Sequence, residues 1–263
     1  MGFAEKYGPW AMVTGASAGL GVAFARALAK RGLNLVLTAR REDRLENLAR
    51  ELAANHGIEV VPIPLDLCAP AAVDALATKT ADREFGLVVA NAGFGWAGPF
   101  LDQPAAKLRE MVKLNCEIPA LMAHTFLPGM ESRGRGGFMV IASTAGHVAT
   151  PWMAGYGATK AFDLHLGEAL AVELKSKGID VLAVCPGSTE SEFHELANVK
   201  VSAFSGFHAS AEALAEGALK ALGRKPSWIH GFANRSSLFI TKHMPRRLAT
   251  WITGKALSGH YRS

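Results

Sequence analysis

The sequence has few of the features that mark secreted, membrane-spanning or metal-binding proteins. It holds three cysteines, Cys68, Cys116 and Cys185, which are widely spaced and form no CxxC pair. An odd and scattered set suits neither a disulfide framework nor a zinc site, so we interpret them as free thiols and expect no metal. No apolar run reaches the roughly 18 residues of a membrane-spanning helix. The first residues also lack the basic start and apolar core of a secretory leader, so we expect a cytoplasmic protein.

Acidic residues are missing from the C-terminal part of the chain. From Arg224 to the end there are eight Lys or Arg and no Asp or Glu, although the whole chain has a net charge of only +5. Within residues 234–263, which we call the basic C-terminal extension, apolar and basic residues interleave as in an amphipathic helix, with a break at Pro245. Such a segment can meet an anionic surface. We favour packing on the cleft or a subunit, keep weak membrane-surface contact as the alternative, and expect no nucleic acid.

Short apolar runs alternate with helix-like stretches along the chain. Apolar residues make up 49% and charged residues 19%, which predicts a packed core rather than disorder. The predicted strands are 12–13, 33–37, 58–63, 87–90, 138–142, 179–184 and 227–230. The predicted helices are one after residue 21, then 42–55, 70–83, 104–130, 152–177 and 210–222. This alternation is typical of a doubly wound α/β protein, with a parallel sheet between two helical layers. No linker divides the chain, so we expect one domain, 1–263.

A glycine-rich loop joins the first strand to the first helix. Its pattern is Gly15-x-x-x-Gly19-x-Gly21. Glycines let the backbone approach a pyrophosphate, and the following helix N-terminus supplies N–H groups and a positive dipole. The second strand ends at Arg40 and Arg41, with no acid before Glu42. Because arginine can clamp a 2′-phosphate, we assign Arg40 to the cofactor, leave Arg41 open, and favour NADP(H) while NAD(H) stays possible.

A proton-transfer group is predicted around the fifth strand. Tyr156 and Lys160 are four residues apart, so they share one helix face, while Ser143 follows the apolar run 138–142. A phenol has an ordinary pKa of about 10. We expect the nearby Lys160 ammonium to lower it. This arrangement could move a proton to or from an alcohol or a carbonyl.

These residues resemble the short-chain dehydrogenase/reductase family in its single-domain form, from Trp10 to about Trp228. The matched positions are the glycine loop, Asp66 after the third strand, Asn91-Ala92-Gly93 after the fourth, Asn115 in the long helix, Ser143, Tyr156-x-x-x-Lys160 and Pro186-Gly187. The resemblance implies a Rossmann-type sheet of about seven strands and nicotinamide-linked redox chemistry. One departure concerns Ala18, where many NADP-preferring relatives carry a basic residue, so Arg40 carries most of the preference.

The resemblance also implies roles. Asn115, Ser143, Tyr156 and Lys160 would be catalytic: Tyr156 exchanges the proton, Lys160 lowers its pKa, Ser143 holds the substrate oxygen and Asn115 positions a water. The implied cofactor-binding residues are Gly15, Ser17, Gly19, Leu20, Gly21, Arg40, Asp66, Leu67, Asn91, Gly93, Tyr156, Lys160, Pro186, Gly187 and Thr189. Structural roles remain open for three of the catalytic and cofactor-binding residues. Asn91 could tie strands together, Asp66 could cap a helix, and Asn115 could bend one.

The function that follows is an NADP(H)-dependent oxidoreductase that interconverts a ketone or aldehyde and an alcohol. Its substrate would be an apolar small molecule that contacts Ser143, Tyr156, His147 and Trp152. We expect residues 188–209 to form a substrate loop or lid, since a loop this long in a compact domain is usually functional. The alternative is a catalytically silent NADP-binding sensor or scaffold. Relatives assemble through two long helices, here 104–130 and 152–177, so we expect a homodimer or homotetramer.

Overall fold

A seven-stranded parallel sheet lies at the centre of the computed structural model, which describes residues 2–187 and 210–258. The strands are β1 (Trp10–Thr14), β2 (Asn34–Ala39), β3 (Val60–Pro64), β4 (Phe85–Ala90), β5 (Gly136–Ile141), β6 (Ile179–Cys185) and β7 (Ser227–Ile229). Their order in the sheet is β3-β2-β1-β4-β5-β6-β7, and every neighbouring pair is parallel. The predicted doubly wound α/β architecture is therefore confirmed.

Helices connect the strands. They are α1 (Phe3–Tyr7), α2 (Gly19–Ala29), α3 (Glu42–His56), α4 (Ala72–Lys79), α5 (Ala105–Val112), α6 (Ile118–Arg133), α7 (Ala154–Glu173), α8 (Ala211–Ala221), α9 (Phe232–His243) and α10 (Arg246–Ser258). Short 3₁₀ turns occupy Phe100–Asp102, Thr144–Gly146 and Lys175–Lys177. The predicted elements agree with these to within a few residues, except that α1 was not predicted and the helix predicted over 104–130 is divided.

The sheet has a separate apolar core on each face. Successive side chains of a strand point to opposite faces, so in β1 Ala11 and Val13 join one core while Met12 joins the other. All residues of β1 are buried. Phe24 of α2 is fully buried in the first core, and Met122 of α6 in the second. Burial on both faces explains why the strands are near-continuous apolar runs rather than alternating ones.

The long helix predicted over residues 104–130 is interrupted. A π-helical segment, Lys113–Glu117, separates α5 from α6. Pro119 lies in the first turn of α6, and without an N–H it cannot donate to the carbonyl of Asn115 four residues earlier. The prediction of one continuous helix was wrong for this reason. The prediction that Asn115 marks a bend is consistent with the observed break.

The described part of the basic C-terminal extension lies in two helices, α9 and α10, on either side of Pro245, where the sequence predicts a break. Across the described ranges, no helix combines the length and apolar character needed to cross a bilayer. The predicted substrate loop, 188–209, lies outside the described residues, and so does Thr189.

Candidate active site

A cleft of about 660 Å³ opens where several strands end. The chain passes from β1 to β2 on one side and later returns to β4 on the other side of β1, so the connections diverge there. Ligands of doubly wound sheets bind at such a switch point, outside the carboxyl ends of the strands. The predicted cofactor residues in the described part line this cleft, apart from Gly21 beneath the loop; they are Gly15, Ser17, Gly19, Leu20, Arg40, Asp66, Leu67, Asn91, Gly93, Tyr156, Lys160, Pro186 and Gly187.

The glycine loop requires its glycines for steric reasons. Gly15 has a φ of 66°, and a Cβ there would lie 2.9 Å from Nδ2 of Asn91. A Cβ at Gly21 would collide with the carbonyl oxygen of Gly15. α2 begins at Gly19, and its first residues line the cleft. The loop thus presents the positive end of a helix to the cleft without side chains in the way.

Asn91 ties the ends of β1 and β4 together. Its side-chain Nδ2 donates to the carbonyl oxygen of Thr14 at 2.8 Å, and its backbone N–H donates to Oγ1 of Thr14 at 2.9 Å. Asn91 also lines the cleft, so the two roles considered for it are compatible. Asn91 thus holds the ends of β1 and β4 together at the edge of the cleft.

Two arginines flank the glycine loop. Nε of Arg41 donates to Oγ of Ser17 at 3.1 Å, which fixes Arg41 against the loop. Arg40 is more exposed, at 67%, and its Nη1 lies 3.5 Å from Oε1 of Glu110. Both arginines line the cleft. Arg41, which the sequence left open, is therefore at least as well located for an anion as Arg40.

Asp66 and Gly187 lie at opposite ends of the cleft. Oδ1 of Asp66 accepts the backbone N–H of Cys68 at 3.0 Å, whereas the residue before α4 is Ala71, so Asp66 does not cap that helix. Gly187 follows β6, and a Cβ there would collide with the side chain of Asn234 in α9. The C-terminal extension thus packs directly on this end of the cleft.

Ser143, Tyr156 and Lys160 converge at the centre of the cleft. Ser143 follows β5 and caps a 3₁₀ turn, its Oγ accepting the N–H of Ala145 at 3.1 Å. Tyr156 and Lys160 lie one turn apart on α7, as predicted. Exposure is only 9% for Ser143, 8% for Tyr156 and 6% for Lys160, so their polar groups act on each other with little screening by water.

Burial raises the pKa of Tyr156, although the charge of Lys160 and a hydrogen bond with Ser143 both act to lower it. Lys160 acts in the direction that the sequence predicts, but the predicted net lowering of the Tyr156 pKa was wrong. The reason is that Tyr156 is deeply buried. The desolvation free energy of a phenolate there is larger than the stabilisation that one neighbouring ammonium provides. Tyr156 is accordingly a neutral phenol at neutral pH.

Lys160 is held from the side by two acceptors. Its Nζ donates to the carbonyl oxygen of Ile141 at 2.6 Å and to Oδ2 of Asp163 at 2.9 Å. Burial opposes the charge on Lys160, but the attraction of Asp163 and Tyr156 outweighs it and raises the pKa of Lys160. Asp163 was not predicted as a site residue. Its signal in the sequence is a carboxylate three positions after Lys160, which is also common on exposed helix faces.

Asn115 braces the site from the π-helical segment. It is 1% exposed, its Nδ2 donates to the carbonyl oxygen of Phe94 at 2.9 Å and to Oγ1 of Thr159 at 3.0 Å, and its Oδ1 accepts the N–H of Phe94 at 3.1 Å. Thr159 Oγ1 in turn donates to the carbonyl oxygen of Tyr156 at 2.8 Å. Asn115 therefore connects the loop after β4 to the turn of α7 that carries Tyr156 and Lys160.

Two predicted substrate residues do not reach the cleft. Neither His147 nor Trp152 is among the described residues that line it. Trp152 has a φ of 68°, and its Nε1 donates to the carbonyl oxygen of Gly254 at 3.2 Å, so it packs against α10 instead. The cleft is lined instead by residues of α9 and α10 that were not predicted individually as site residues. They are Asn234, Ser237, Leu238, Thr241, Ile252, Thr253, Ala256 and Leu257.

The cysteines contribute no reactive thiolate to the site. All three are free. Burial raises the pKa of Cys116 to about 11 and that of Cys185 to about 12, so both thiols stay protonated near neutral pH. Within residues 2–187 and 210–258, no group of three or more His, Cys, Asp or Glu side chains is arranged to hold a metal ion.

Comparison with known proteins gives a consistent set of relatives. A family model described as short chain dehydrogenase matches residues 9–201. The 7beta-hydroxysteroid dehydrogenase of Clostridium sardiniense is 34% identical over 189 residues, which cover 72% of this chain and 72% of the relative. The inactive hydroxysteroid dehydrogenase-like protein 1 of Homo sapiens is 34% identical over 185 residues, 69% of this chain and 56% of that protein.

Solved structures agree with these relatives. A structure from a study of 7beta-hydroxysteroid dehydrogenase stereoselectivity superposes with a TM-score of 0.88 at 28% identity, covering 97% of this chain and all (100%) of that one. A short-chain dehydrogenase from Sphingobium yanoikuyae in complex with NADPH has a TM-score of 0.79 at 30% identity, with 90% and 97% coverage. The similarity therefore extends over the sheet, the cleft and much of the C-terminal part.

Proposed function

Because the chain belongs to the short-chain dehydrogenase family, and is thus an oxidoreductase, we propose that it interconverts a ketone or aldehyde and an alcohol with NADP(H). The observation that carries this proposal is the convergence of Ser143, Tyr156 and Lys160 in the same cleft as the glycine loop. A proton-transfer group and a dinucleotide cradle in one cavity supply the two halves of a carbonyl reduction.

The residues present fit a nicotinamide dinucleotide. Gly15, Gly19 and Gly93 line the cleft and have no side chains that would keep a pyrophosphate from the backbone. When bound, the nicotinamide would supply the hydride chemistry. The two arginines after β2 favour a 2′-phosphate, which supports NADP(H), and the NADPH complex of the Sphingobium relative is consistent with this choice.

The proposed roles follow from protonation and geometry. Tyr156, a neutral phenol at neutral pH, donates its proton to the carbonyl oxygen during reduction and accepts one as phenolate during oxidation. The hydroxyl of Ser143 holds the same oxygen and stabilises the charge that develops there. Lys160 keeps a positive charge beside Tyr156. Asn115 supports the helix turn that carries Tyr156 and Lys160, since its side chain is hydrogen-bonded to Phe94 and Thr159.

The substrate we propose is a bulky apolar ketone or secondary alcohol. Among the residues that line the cleft, six carry large apolar side chains, namely Phe94, Leu114, Val148, Met153, Leu238 and Ile252. A cleft of about 660 Å³ is within the usual range for small-molecule sites. Since several relatives carry hydroxysteroid dehydrogenase names, hydroxysteroids and their ketones are the first compounds to test.

The experiment is an activity screen of a ketone and alcohol panel with NADPH and NADH side by side. We expect turnover with NADPH to exceed turnover with NADH, and a stronger response to NADH would overturn the cofactor proposal. Equilibrium binding of both cofactors to Arg40→Ala and Arg41→Ala then locates the preference. A charge-assisted hydrogen bond contributes about 1.5–3 kcal/mol, so losing one should weaken NADPH by roughly tenfold or more and leave NADH unchanged. Arg50→Ala, on the exposed side of α3, is the matched control.

The alternative function is a catalytically silent NADP-binding sensor or scaffold. The observation that favours it is the human relative named as inactive, at 34% identity. Binding of NADPH without turnover of any ketone or alcohol in the panel would support this alternative. Turnover that depends on Tyr156 would exclude it.

We also propose that the chain forms a homodimer or homotetramer through α5, α6 and α7. These helices carry exposed apolar side chains, with Leu121 43%, Phe162 42% and Val172 75% exposed. Burying such a surface stabilises association. Light scattering after gel filtration tests it, with Val172→Glu expected to shift the protein towards monomer. A monomeric wild type at micromolar concentration would contradict this proposal.

Weak membrane-surface contact through α9 and α10 is a separate proposal. Phe239 is 67% and Trp251 57% exposed, beside the basic Arg246, Arg247 and Lys255. Exposed aromatic side chains beside lysine and arginine suit an anionic lipid surface. Flotation with phosphatidylserine vesicles should recover the wild type, and Trp251→Ser should recover less. If the protein is recovered with neither the phosphatidylserine vesicles nor vesicles of neutral lipid, the proposal is wrong.

A further inference from the structure

A buried carboxylate stands behind Lys160. Asp163 is 1% exposed, and its Oδ2 accepts a hydrogen bond from Nζ of Lys160 at 2.9 Å. Lys160 lines the cleft but Asp163 does not. The second carboxylate oxygen, Oδ1, is buried and has no hydrogen-bond partner among the described residues. An ionised group in this position costs desolvation free energy that an apolar side chain would avoid, so its presence requires a reason.

The donor geometry of Lys160 supplies one reason. An ammonium has three N–H donors. The carbonyl oxygen of Ile141 takes one at 2.6 Å and Asp163 takes another, so at most one remains for the cleft. Across the ammonium lies Gly93, where a Cβ would be 3.5 Å from Nζ. Asp163 and the end of β5 therefore restrict the direction in which Lys160 can donate.

The charge of Asp163 supplies a second reason. The titratable groups that face it are Tyr156 and Lys160 of α7, Cys116 of the π-helical segment and Cys185 of β6. Both thiols are protonated near neutral pH because burial raises their pKa. Lys160 is thus the cation that Asp163 neutralises, and its carboxylate opposes loss of a proton from either Tyr156 or Lys160.

We propose that Asp163 is a positioning residue of the reaction, which aims the Lys160 ammonium at the cleft and keeps the Tyr156–Lys160 pair protonated. The expected change in the kcat profile rests on the proposed function, whereas the expected change in the ionisation of Tyr156 does not. The negative charge of Asp163 stabilises the protonated forms of both Tyr156 and Lys160. Removing that charge therefore lowers the pKa for loss of the first proton from the pair, whichever group loses it.

The test is Asp163→Asn, which keeps the shape and an acceptor oxygen but removes the charge. Asp163→Glu keeps the charge, and Asp74→Asn, exposed on α4, is the matched control. In the alcohol-oxidation direction we expect the acidic limb of the kcat profile to move to lower pH by about one unit with Asn. The Glu variant should restore much of the wild-type profile, and the control should not move. If the Asn variant does not fold, Asp163→Ser takes its place with the same expected shift.

A second readout does not depend on turnover. The chain has three tyrosines, so the phenolate absorbance of each protein, minus that of the same protein carrying Tyr156→Phe, isolates Tyr156 during a pH titration. We expect Tyr156 to ionise at lower pH in Asp163→Asn than in the wild type. An unchanged titration together with an unchanged kcat profile would overturn the proposal, as would equal shifts in the Asn and Glu variants. A wild type that turns over no substrate would refute the proposed function. The titration of Tyr156 would then decide the proposed role of Asp163 by itself.

Discussion

Replacing Asn115 by alanine tests whether this side chain holds the site together. The change removes its hydrogen bonds to both backbone groups of Phe94 and to Oγ1 of Thr159, while Asn115 itself is 1% exposed. A net hydrogen bond contributes about 1 kcal/mol, and a buried group left without a partner costs about 1–3 kcal/mol. The Phe94 groups border the cleft, so water can replace part of the loss there. Oγ1 of Thr159 is buried, and it keeps its hydrogen bond to the carbonyl oxygen of Tyr156.

We therefore expect Asn115→Ala to lower the free energy of unfolding by about 2–4 kcal/mol. In a protein of this size that corresponds to a fall in Tm of roughly 5–10 °C. Guanidinium unfolding followed by circular dichroism measures it. The matched control is Asn47→Ala, since Asn47 is exposed in the middle of α3. We expect the control to change the free energy of unfolding by less than about 0.5 kcal/mol. A similarly small change in Asn115→Ala would refute the bracing role of Asn115.

Three further predictions follow from the same structure. Burial raises the pKa of Tyr156, so kcat/KM for reduction, which needs the neutral phenol, should be high at neutral pH and fall as the pH rises through that pKa. The kcat/KM for oxidation, which needs the phenolate, should rise over the same range. Opposite slopes in the two pH profiles check this prediction. Gly21→Ala should weaken NADPH binding by at least about tenfold, because its Cβ would displace Gly15, whereas the helical control Gly129→Ala should bind normally in an equilibrium titration. Phe24→Ala should lower the free energy of unfolding by about 3–5 kcal/mol in guanidinium, because Phe24 is fully buried.

Local pattern was sufficient for the sheet and for the glycine loop. Parallel strands buried on both faces are continuous apolar runs, so their positions can be recognised within the sequence itself. Gly15 and Gly21 were recognisable because their spacing follows a strand and opens a helix. The end of a helix at Pro245 was equally predictable, since proline has no N–H to continue it.

Features that depend on contacts distant in sequence were not predictable. The hydrogen bond from Asn115, in the π-helical segment, to Phe94 joins two separate elements, and periodicity within one helix carries no information on such a partner. The pKa of Tyr156 depends on how completely the fold buries it, whereas the sequence shows only the nearby Lys160. Trp152 was expected at the substrate, but α10 packs there and binds its indole N–H.

Asp163 illustrates a different limit. Its spacing from Lys160 is plain in the sequence, yet pairs three apart are common on exposed helix faces, where they contribute little. Only the burial of both side chains, with 1% of Asp163 exposed, turns this spacing into a feature of the site. Burial of a charge is decided by the packing of neighbouring elements, here the π-helical segment and β6.

The most direct test of the proposed chemistry is the rate of NADPH-dependent ketone reduction by Tyr156→Phe. The variant removes one oxygen and leaves the ring in its apolar surroundings. The matched control is Tyr7→Phe, since Tyr7 is buried in the first core and donates to Oδ2 of Asp180 at 2.5 Å, away from the cleft. We predict that Tyr156→Phe binds NADPH as the wild type does and loses about 10²–10⁴-fold in kcat, while Tyr7→Phe retains its activity. A Tyr156→Phe protein that reduces the substrate at the wild-type rate would contradict the account.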